Sequence, residues 1–447
     1  MKKINPSLPK GTKDFGTVEM RKRNYLFDVF KELFNVFGFN SIQTPSMENM
    51  EILNGKYGDE GDKLIFRVLN SGNFMDGVNK IDSFKINELK NKISKKGLRY
   101  DLTVPLARYV SMNRDKITLP FKRYQIQPVW RADRPQRGRF REFVQCDVDY
   151  IGTRSVVCEA EILELVNEFF GRIKYKDFDI RLNNRKILQG ISEVLKFEDK
   201  FEEFCILIDK IDKIGIDKFK EELKKKRFTP KTIEQIDIVF QIKGDNETKI
   251  QFLEKYLKNS IIGTDGLNEI KSLSKYNNNF IFELKLARGL SYYTSTIFEV
   301  IPKNNKIGSL CGGGRYDNLT EIFGYKNISG IGISFGIERI IDIMDNENLF
   351  PNRLSDSTVL VAYLGSEFIL DSIKISQFLR KNNVNVDLYS DNNKLKKQLQ
   401  YANNNKIPYV IIVGEEEIES KEYTLKNMNT GKQEKLNLKK ILDRVSE

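Results

Sequence analysis

Residues 129 to 143, VWRADRPQRGRFREF, place five arginines (Arg131, Arg134, Arg137, Arg139 and Arg141) within eleven positions. The planar guanidinium fork grips phosphate oxygens in pairs, so this loop suits a polyphosphate or a nucleic-acid backbone. Immediately after it, Phe143, Gln145 and Asp149 share the two-residue period of a strand and therefore one face. A ring, an amide and a carboxylate beside clustered arginines would serve a nucleotide together with a small cationic molecule. A general RNA-binding loop ahead of a half-buried strand fits the same residues.

Three further stretches carry residues of this kind. LRYDLTVPLARY sets Asp101 and Thr103 two apart on what reads as a strand face. LARGLSYYTSTIFEV puts Arg288 before a glycine turn and the adjacent Tyr292 and Tyr293, with a strand predicted from Ser295 to Val300. A surface arginine beside two core tyrosines is the plainer reading of that stretch. GIGISFGIERII has small residues that permit close backbone approach, then Arg339 opening a helix. The three consecutive glycines of GSLCGGGRYDNL suggest a turn or a backbone lying against a ligand.

Composition narrows the chemistry. The 447 residues include no histidine, which excludes His general bases, Ser–His–Asp triads and His-ligated metals. Cys146, Cys158, Cys205 and Cys311 form no CxxC pair, so free thiols are expected and no metal site is assigned. A net charge of +12 suits a polyanionic partner. No apolar run reaches the roughly 20 residues that span a bilayer, and the lysines of MKKINPSLPKGTKDF precede no apolar signal core. A cytoplasmic protein that engages no membrane is the expectation.

The elements that must position these residues follow from periodicity. Residues 17 to 37 repeat at helical spacing up to Gly38, and FNSIQTPSMEN reads as a strand broken by Pro45. Strand-like pieces from Leu98 to about Gly152 surround the arginine loop and lead into a helix over 156–172. Antiparallel strands around a charged loop point to an α+β mixed sheet. A Lys- and Glu-rich helical insertion is expected at about 182–278 within a domain of 1–344. A linker over 345–356 then leads to an α/β domain of 357–447 that closes with a hairpin.

Taken together these stretches resemble the histidyl-tRNA synthetases, of the class II aminoacyl-tRNA synthetases, over essentially the whole chain. GFNSIQTPSME is similar to class motif 1, VWRADRPQRGRFREF to motif 2 and GIGISFGIER to motif 3. ARGLSYYTSTIFE and CGGGRYD resemble the two peptides peculiar to the histidine enzyme. The resemblance implies a class II catalytic domain, a C-terminal anticodon-binding domain and a homodimer. Its substrates would be ATP (with Mg²⁺), L-histidine and tRNA(His). A catalytically silent regulatory or amino-acid-sensing paralogue is the alternative, and it should have lost Arg288, the arginines of motif 2 or the C-terminal domain, all of which this sequence carries.

By the same resemblance, Arg131 and Arg339 hold ATP phosphates, Arg139 reaches the γ-phosphate and Phe143 stacks on adenine. Asp101, Thr103 and Gln145 take the substrate ammonium. Asp149 and Tyr293 bond its imidazole with Tyr292 beside them, and Arg288 bridges its carboxylate and the α-phosphate. The chain departs from the family pattern at Ser291, where aspartate is usual, and at Val144, where an aromatic or histidine is common. Asp101 and Asp149 are each a methylene shorter than the glutamates of many members.

Such a reaction needs no histidine side chain. Its nucleophile is a carboxylate ionised at neutral pH, and the barrier lies in phosphoryl charge that arginines stabilise. A pH transition near 6.5 is then expected to belong to the substrate imidazole or to a strongly shifted group.

Overall fold

A computed structural model describes residues 5–54, 61–76, 86–135, 139–288, 292–303, 307–318, 320–351 and 357–446. The chain divides into two units, Met1–Asp14 with Leu26–Leu349, and Phe15–Tyr25 with Phe350–Glu447. The short segment Phe15–Tyr25 thus groups with the C-terminal residues, a feature that periodicity along the chain does not contain.

The first unit is built on eight strands: β1 (Asn40–Ser41), β5 (Phe121–Trp130), β6 (Glu142–Ile151), β7 (Phe178–Asn184), β8 (Ile281–Phe282), β9 (Thr296–Pro302), β10 (Cys311–Tyr316) and β11 (Gly330–Gly336). Their order is β1-β5-β6-β11-β10-β9-β7-β8. Neighbours from β5 to β7 run antiparallel, while β1 and β8 add parallel edges. A smaller sheet orders β2 (Met47–Asn49), β4 (Lys96–Leu98) and β3 (Arg67–Val68).

Alternation gives the large sheet two unlike faces. Val148, Ile333 and Phe335 point to one side, where the Phe335 ring lies 4.9 Å from Phe30 and 5.2 Å from Phe169. Phe30 belongs to the helix Thr17–Val36 and Phe169 to Val157–Arg172, so these helices seal the apolar face. The opposite face is polar: Arg123, Gln125 and Gln127 on β5 stand across from Asp149, Asp147 and Gln145 on β6. Those in turn stand across from Gly332, Ser334 and Gly336 on β11. Gly332 on β11 makes room for the Asp149 carboxylate, whose Oδ1 would fall on a Cβ placed there.

LRYDLTV is not a strand. β4 ends at Leu98 and a helix runs Thr103–Met112. Asp101 starts it, its Oδ1 accepting the N–H of Val104 at 3.1 Å, one of the donors a helix N-terminus leaves orphaned. Pro105 in the first turn lacks an N–H that would need a partner there.

Seven helices, from Arg185–Leu195 to Ile261–Tyr276, fill the span between β7 and β8. Leu182 to Asn184 complete β7 as fully buried strand residues, so the helices begin three positions after the expected start of the insertion. β7 and β8 pair in parallel, so the chain leaves the sheet and returns beside its point of exit.

The second unit orders β13 (Val386–Leu388), β12 (Val359–Tyr363), β14 (Tyr409–Val413), β15 (Tyr423–Asn427) and β16 (Gln433–Leu436). VLVAY and YVIIV are buried on both faces, which explains their unbroken apolar runs. The hairpin β15–β16 does not close the chain: a helix Leu438–Ser446 follows and packs Ile441 and Val445 into the same core. Of the linker expected at 345–356, residues 352–356 lie outside the described residues.

Candidate active site

The polar face of the large sheet collects the residues singled out in sequence. Arg131 follows β5 and donates its Nε–H to the carbonyl of Tyr100 at 3.0 Å. Its guanidinium lies 4.3 Å from the centre of the Tyr100 ring and 5.2 Å from that of Phe143. One cation is thereby held between two rings, with the face of Phe143 on β6 half-exposed beside it. Arg139 is half-exposed and pairs with Asp133 at 2.7 Å. Arg141, in contrast, is tied into the backbone, donating to the carbonyls of Asp133 and Lys10 at 3.1 and 3.3 Å. Arg134 is exposed, and Arg137 lies outside the described residues.

Arg288 crosses the sheet above β10 and donates to Glu299 of β9 at 3.1 Å. A Cβ on Gly312 would stand 2.6 Å from its Nη1, so only glycine lets the guanidinium lie this close to the strand. A Cβ on Gly313 would fall on the Gly332 carbonyl oxygen. The three glycines are thus strand residues required by close approach, not a turn. Arg339, in the first turn of the helix Ile337–Asn346, donates to the Ser309 carbonyl at 2.6 Å.

Burial lowers the pKa of Arg339; Glu299 opposes this, while Arg288 and Arg139 push it further down. Arg339 therefore feels two further guanidiniums as well as the Glu299 carboxylate. Burial also works against the charge on Arg288, yet Tyr293 and Glu299 outweigh it and raise the value. Convergent cations of this kind are an anion site for a polyphosphate.

Beside the arginines lies a pocket of carboxylates and phenols. The Tyr292 hydroxyl lies between those of Thr103 and Tyr293. The two rings meet at 4.8 Å. Asp149 is held by the Tyr316 hydroxyl and by Arg123, 2.6 Å away with 0% of its side chain exposed. That approach is off the direction of a hydrogen bond, so Asp149 Oδ2 keeps a lone pair to offer. Burial raises the pKa of Asp149 against the pull of Arg123. Gln145 donates to Ser334 at 2.9 Å, and its Oε1 is buried with no hydrogen-bond partner.

Ring contacts, hydrogen bonds and charge thus link Arg131, Arg139, Phe143, Arg288, Arg339, Asp101, Thr103, Gln145, Asp149, Tyr292 and Tyr293 in one network. Sequence reasoning missed Asp147, although it continues the series Phe143, Gln145, Asp149 at the same two-residue period. Burial pushes Asp147 up to about 7. It also missed Arg123, Tyr316, Ser334 and Glu299. Alternation of polar residues in FKRYQIQPVW was the available signal for Arg123. Val144 points to the opposite face, paired with Pro128, and Ser291 lies outside the described residues.

A sequence model described as histidyl-tRNA synthetase matches residues 75–340, and one described as anticodon binding domain matches 358–447. The histidine–tRNA ligase of Azobacteroides pseudotrichonymphae is 49% identical over 446 residues, covering 98% of this chain and 97% of its own. That of Cytophaga hutchinsonii is 48% identical over 451 residues, covering 98% and 99%. The crystal structure of histidyl-tRNA synthetase from Nostoc superposes with a TM-score of 0.84 at 29% identity, covering 99% of each chain. An ATP phosphoribosyltransferase regulatory subunit/histidyl-tRNA synthetase from Bacillus halodurans shares the fold, with a TM-score of 0.72 at 19% identity.

Proposed function

Because this chain belongs to the histidyl-tRNA synthetase family, we propose how its own residues carry out the family's two steps. The activity is that of a histidine–tRNA ligase, which joins L-histidine to ATP as histidyl-adenylate with release of pyrophosphate and then esterifies tRNA(His). The observation that carries the residue assignment is the convergence of Arg288, Arg339 and Arg139 beside a pocket of buried carboxylates.

Arg288 spans the boundary between the two halves of the site. It orients the histidine carboxylate for in-line attack on the α-phosphate and meets the charge that develops there. Arg131 and Arg339 fix the phosphates, Arg139 exchanges Asp133 for the γ-phosphate, and Phe143 stacks on adenine. Asp101, Thr103 and Gln145 accept the α-ammonium. Asp149 offers an acceptor and Tyr293 a donor, which together complement the N–H and bare nitrogen of a neutral imidazole. An apolar analogue would leave both buried groups unpaired, which gives strong discrimination.

Mg²⁺ fits as a companion of ATP. Among the described residues no cluster of three or more ligating side chains occurs, and Glu299 faces both Arg288 and Arg339. One carboxylate plus phosphate oxygens is the ligand set Mg²⁺ ordinarily takes, and the ion would supply charge neutralisation at the phosphates. Among the described residues no helix is long and apolar enough to cross a membrane, and we place the activity in the cytoplasm. A homodimer would cover the exposed Met47, Leu69 and Met112 around the three-stranded sheet.

The C-terminal unit would read the anticodon. Lys394, Lys396 and Lys397 are exposed at the N-terminus of the helix Leu395–Asn404, where positive charge opposes the helix dipole. Lysines kept at that cost suit a polyanion. Replacing all three by alanine is expected to weaken tRNA binding while leaving adenylate formation intact. The slope of log affinity against log salt should fall by about 2 to 3 for three phosphate contacts. Charging assays with labelled histidine across a salt series test this, and an unchanged slope contradicts it.

A further inference from the structure

Asp147 has no role in the reaction as described, yet it sits in the middle of the amino-acid pocket. It stands between Gln145 and Asp149 on β6, opposite Ser334 on β11 and Gln125 on β5. The Ser334 hydroxyl lies against the Asp147 carboxylate and stabilises its charge. Ser334 accepts the amide N–H of Gln145 at 2.9 Å, and a second, longer contact of 3.5 Å joins that amide nitrogen to Asp147 Oδ1. The shorter contact turns the amide nitrogen toward Ser334 of β11, and the longer one keeps it on the Asp147 side. The amide oxygen is left buried and without a hydrogen-bond partner, as a bare acceptor.

An ionised carboxylate only accepts hydrogen bonds, whereas a protonated one also donates. With Asp147 ionised, the polarity Gln145 to Ser334 to Asp147 is forced. With Asp147 protonated, Ser334 can instead receive a hydrogen from it and give its own to a turned amide, and Gln145 then presents N–H groups. We propose that Asp147 is a positioning residue of the histidine pocket: through Ser334 it holds the Gln145 carbonyl toward the substrate's α-ammonium, and it must lose a proton to do so. The inference rests on the assignment of Gln145 to that ammonium.

The groups around Asp147 set where this proton is lost. Burial pushes it up to about 7, Arg123 of β5 pulls down, Asp149 and Asp101 push up and Ser334 stabilises the charge. Cys146 and Tyr293 also feel it. Near neutral pH the pocket is therefore only partly charged until an ammonium enters, and histidine binding should release a proton to the buffer. The substrate imidazole is thus not the sole group that titrates near 7 in this chain.

The test counts protons by titration calorimetry of histidine into the full-length protein, in two buffers of different ionisation enthalpy. Wild type near pH 7 should release more protons than Asp147→Asn, because burial raises the Asp147 carboxyl to about 7. L-1,2,4-triazole-3-alanine, whose ring takes up no proton in this range, should show the same difference and so removes the imidazole from the count. At pH 8 Asp147→Asn and Ser334→Ala should each raise the histidine KM about tenfold, with the ATP KM unchanged. A carboxyl whose pKa is raised by folding removes stability as pH climbs from 3.8 to about 7. The asparagine variant should accordingly melt no lower than wild type at pH 8. Equal proton counts in wild type and Asp147→Asn overturn the proposal, as does an unaltered histidine KM in Ser334→Ala. If Gln145→Ala binds histidine as tightly as wild type, the ammonium assignment itself fails and the proposal with it.

Discussion

Arg288→Ala is expected to lower histidine-dependent ATP–pyrophosphate exchange by at least 10²–10³-fold, with the melting temperature little changed. The size follows from removing a preorganised donor aimed at phosphoryl charge, about 3 to 4 kcal/mol of transition-state stabilisation. The small structural effect follows from location. Arg288 lies over the glycine strand with 23% of its side chain exposed, and its partner Glu299 is 22% exposed, so water can solvate the carboxylate left behind. Arg288→Lys should recover little, because a point charge cannot bridge a carboxylate and a phosphate as a planar fork does. Measurement of kcat/KM in both variants, beside a thermal melt, checks the claim. Exchange within a few-fold of wild type in Arg288→Ala contradicts it.

The second large effect is on stability. Asp149→Asn leaves Arg123, fully buried, with its ion-pair partner removed, and weakens the bond from Tyr316. Breaking one side of a buried pair typically costs about 3–5 kcal/mol, so the variant is expected to unfold at markedly lower denaturant. Histidine binding should weaken as well, because the acceptor for the imidazole N–H becomes an amide that can turn. ATP binding, which uses the arginines across the site, should change less in whatever fraction stays folded. Urea unfolding beside separate titrations with histidine and ATP distinguishes the two losses. A variant as stable as wild type would show that Asp147, the other carboxylate acting on Arg123, suffices to compensate it.

The same residue shows what the sequence could and could not carry. The two-residue period of Phe143, Gln145 and Asp149 told which way the side chains point, because that depends on neighbours along one strand. That Asp149 is clamped by Arg123 from β5 and Tyr316 from β10 depends on strand order, and no local pattern encodes it. Asp147 was within reach of the same period. The misreading of LRYDLTV arose where two local signals compete. Alternation favoured a strand, and the capping of the Val104 N–H by Asp101 favoured a helix start, which won.

The glycine run left two readings open, a turn or a backbone lying against a ligand, and the turn is excluded. Three glycines in a row usually mark a turn, and here they mark a strand crossed by Arg288 on one face and approached by the β11 backbone. Only contact with distant residues distinguishes the two. The helical insertion and the C-terminal domain were legible because amphipathic helices and fully buried parallel strands leave strong local periodicities. The closing helix Leu438–Ser446 was hidden by the polar, lysine-rich residues beside its narrow apolar stripe.

The central claim is that this polar sheet face activates histidine and nothing else. ATP–pyrophosphate exchange with the purified full-length chain, run separately with each of the twenty amino acids, tests it most directly. The account predicts exchange with L-histidine alone, abolished in Arg288→Ala and weakened at low pH as the pocket and the substrate ring take up protons. Exchange with a different amino acid would contradict the pocket assignment, and no exchange with any amino acid would mean a silent paralogue.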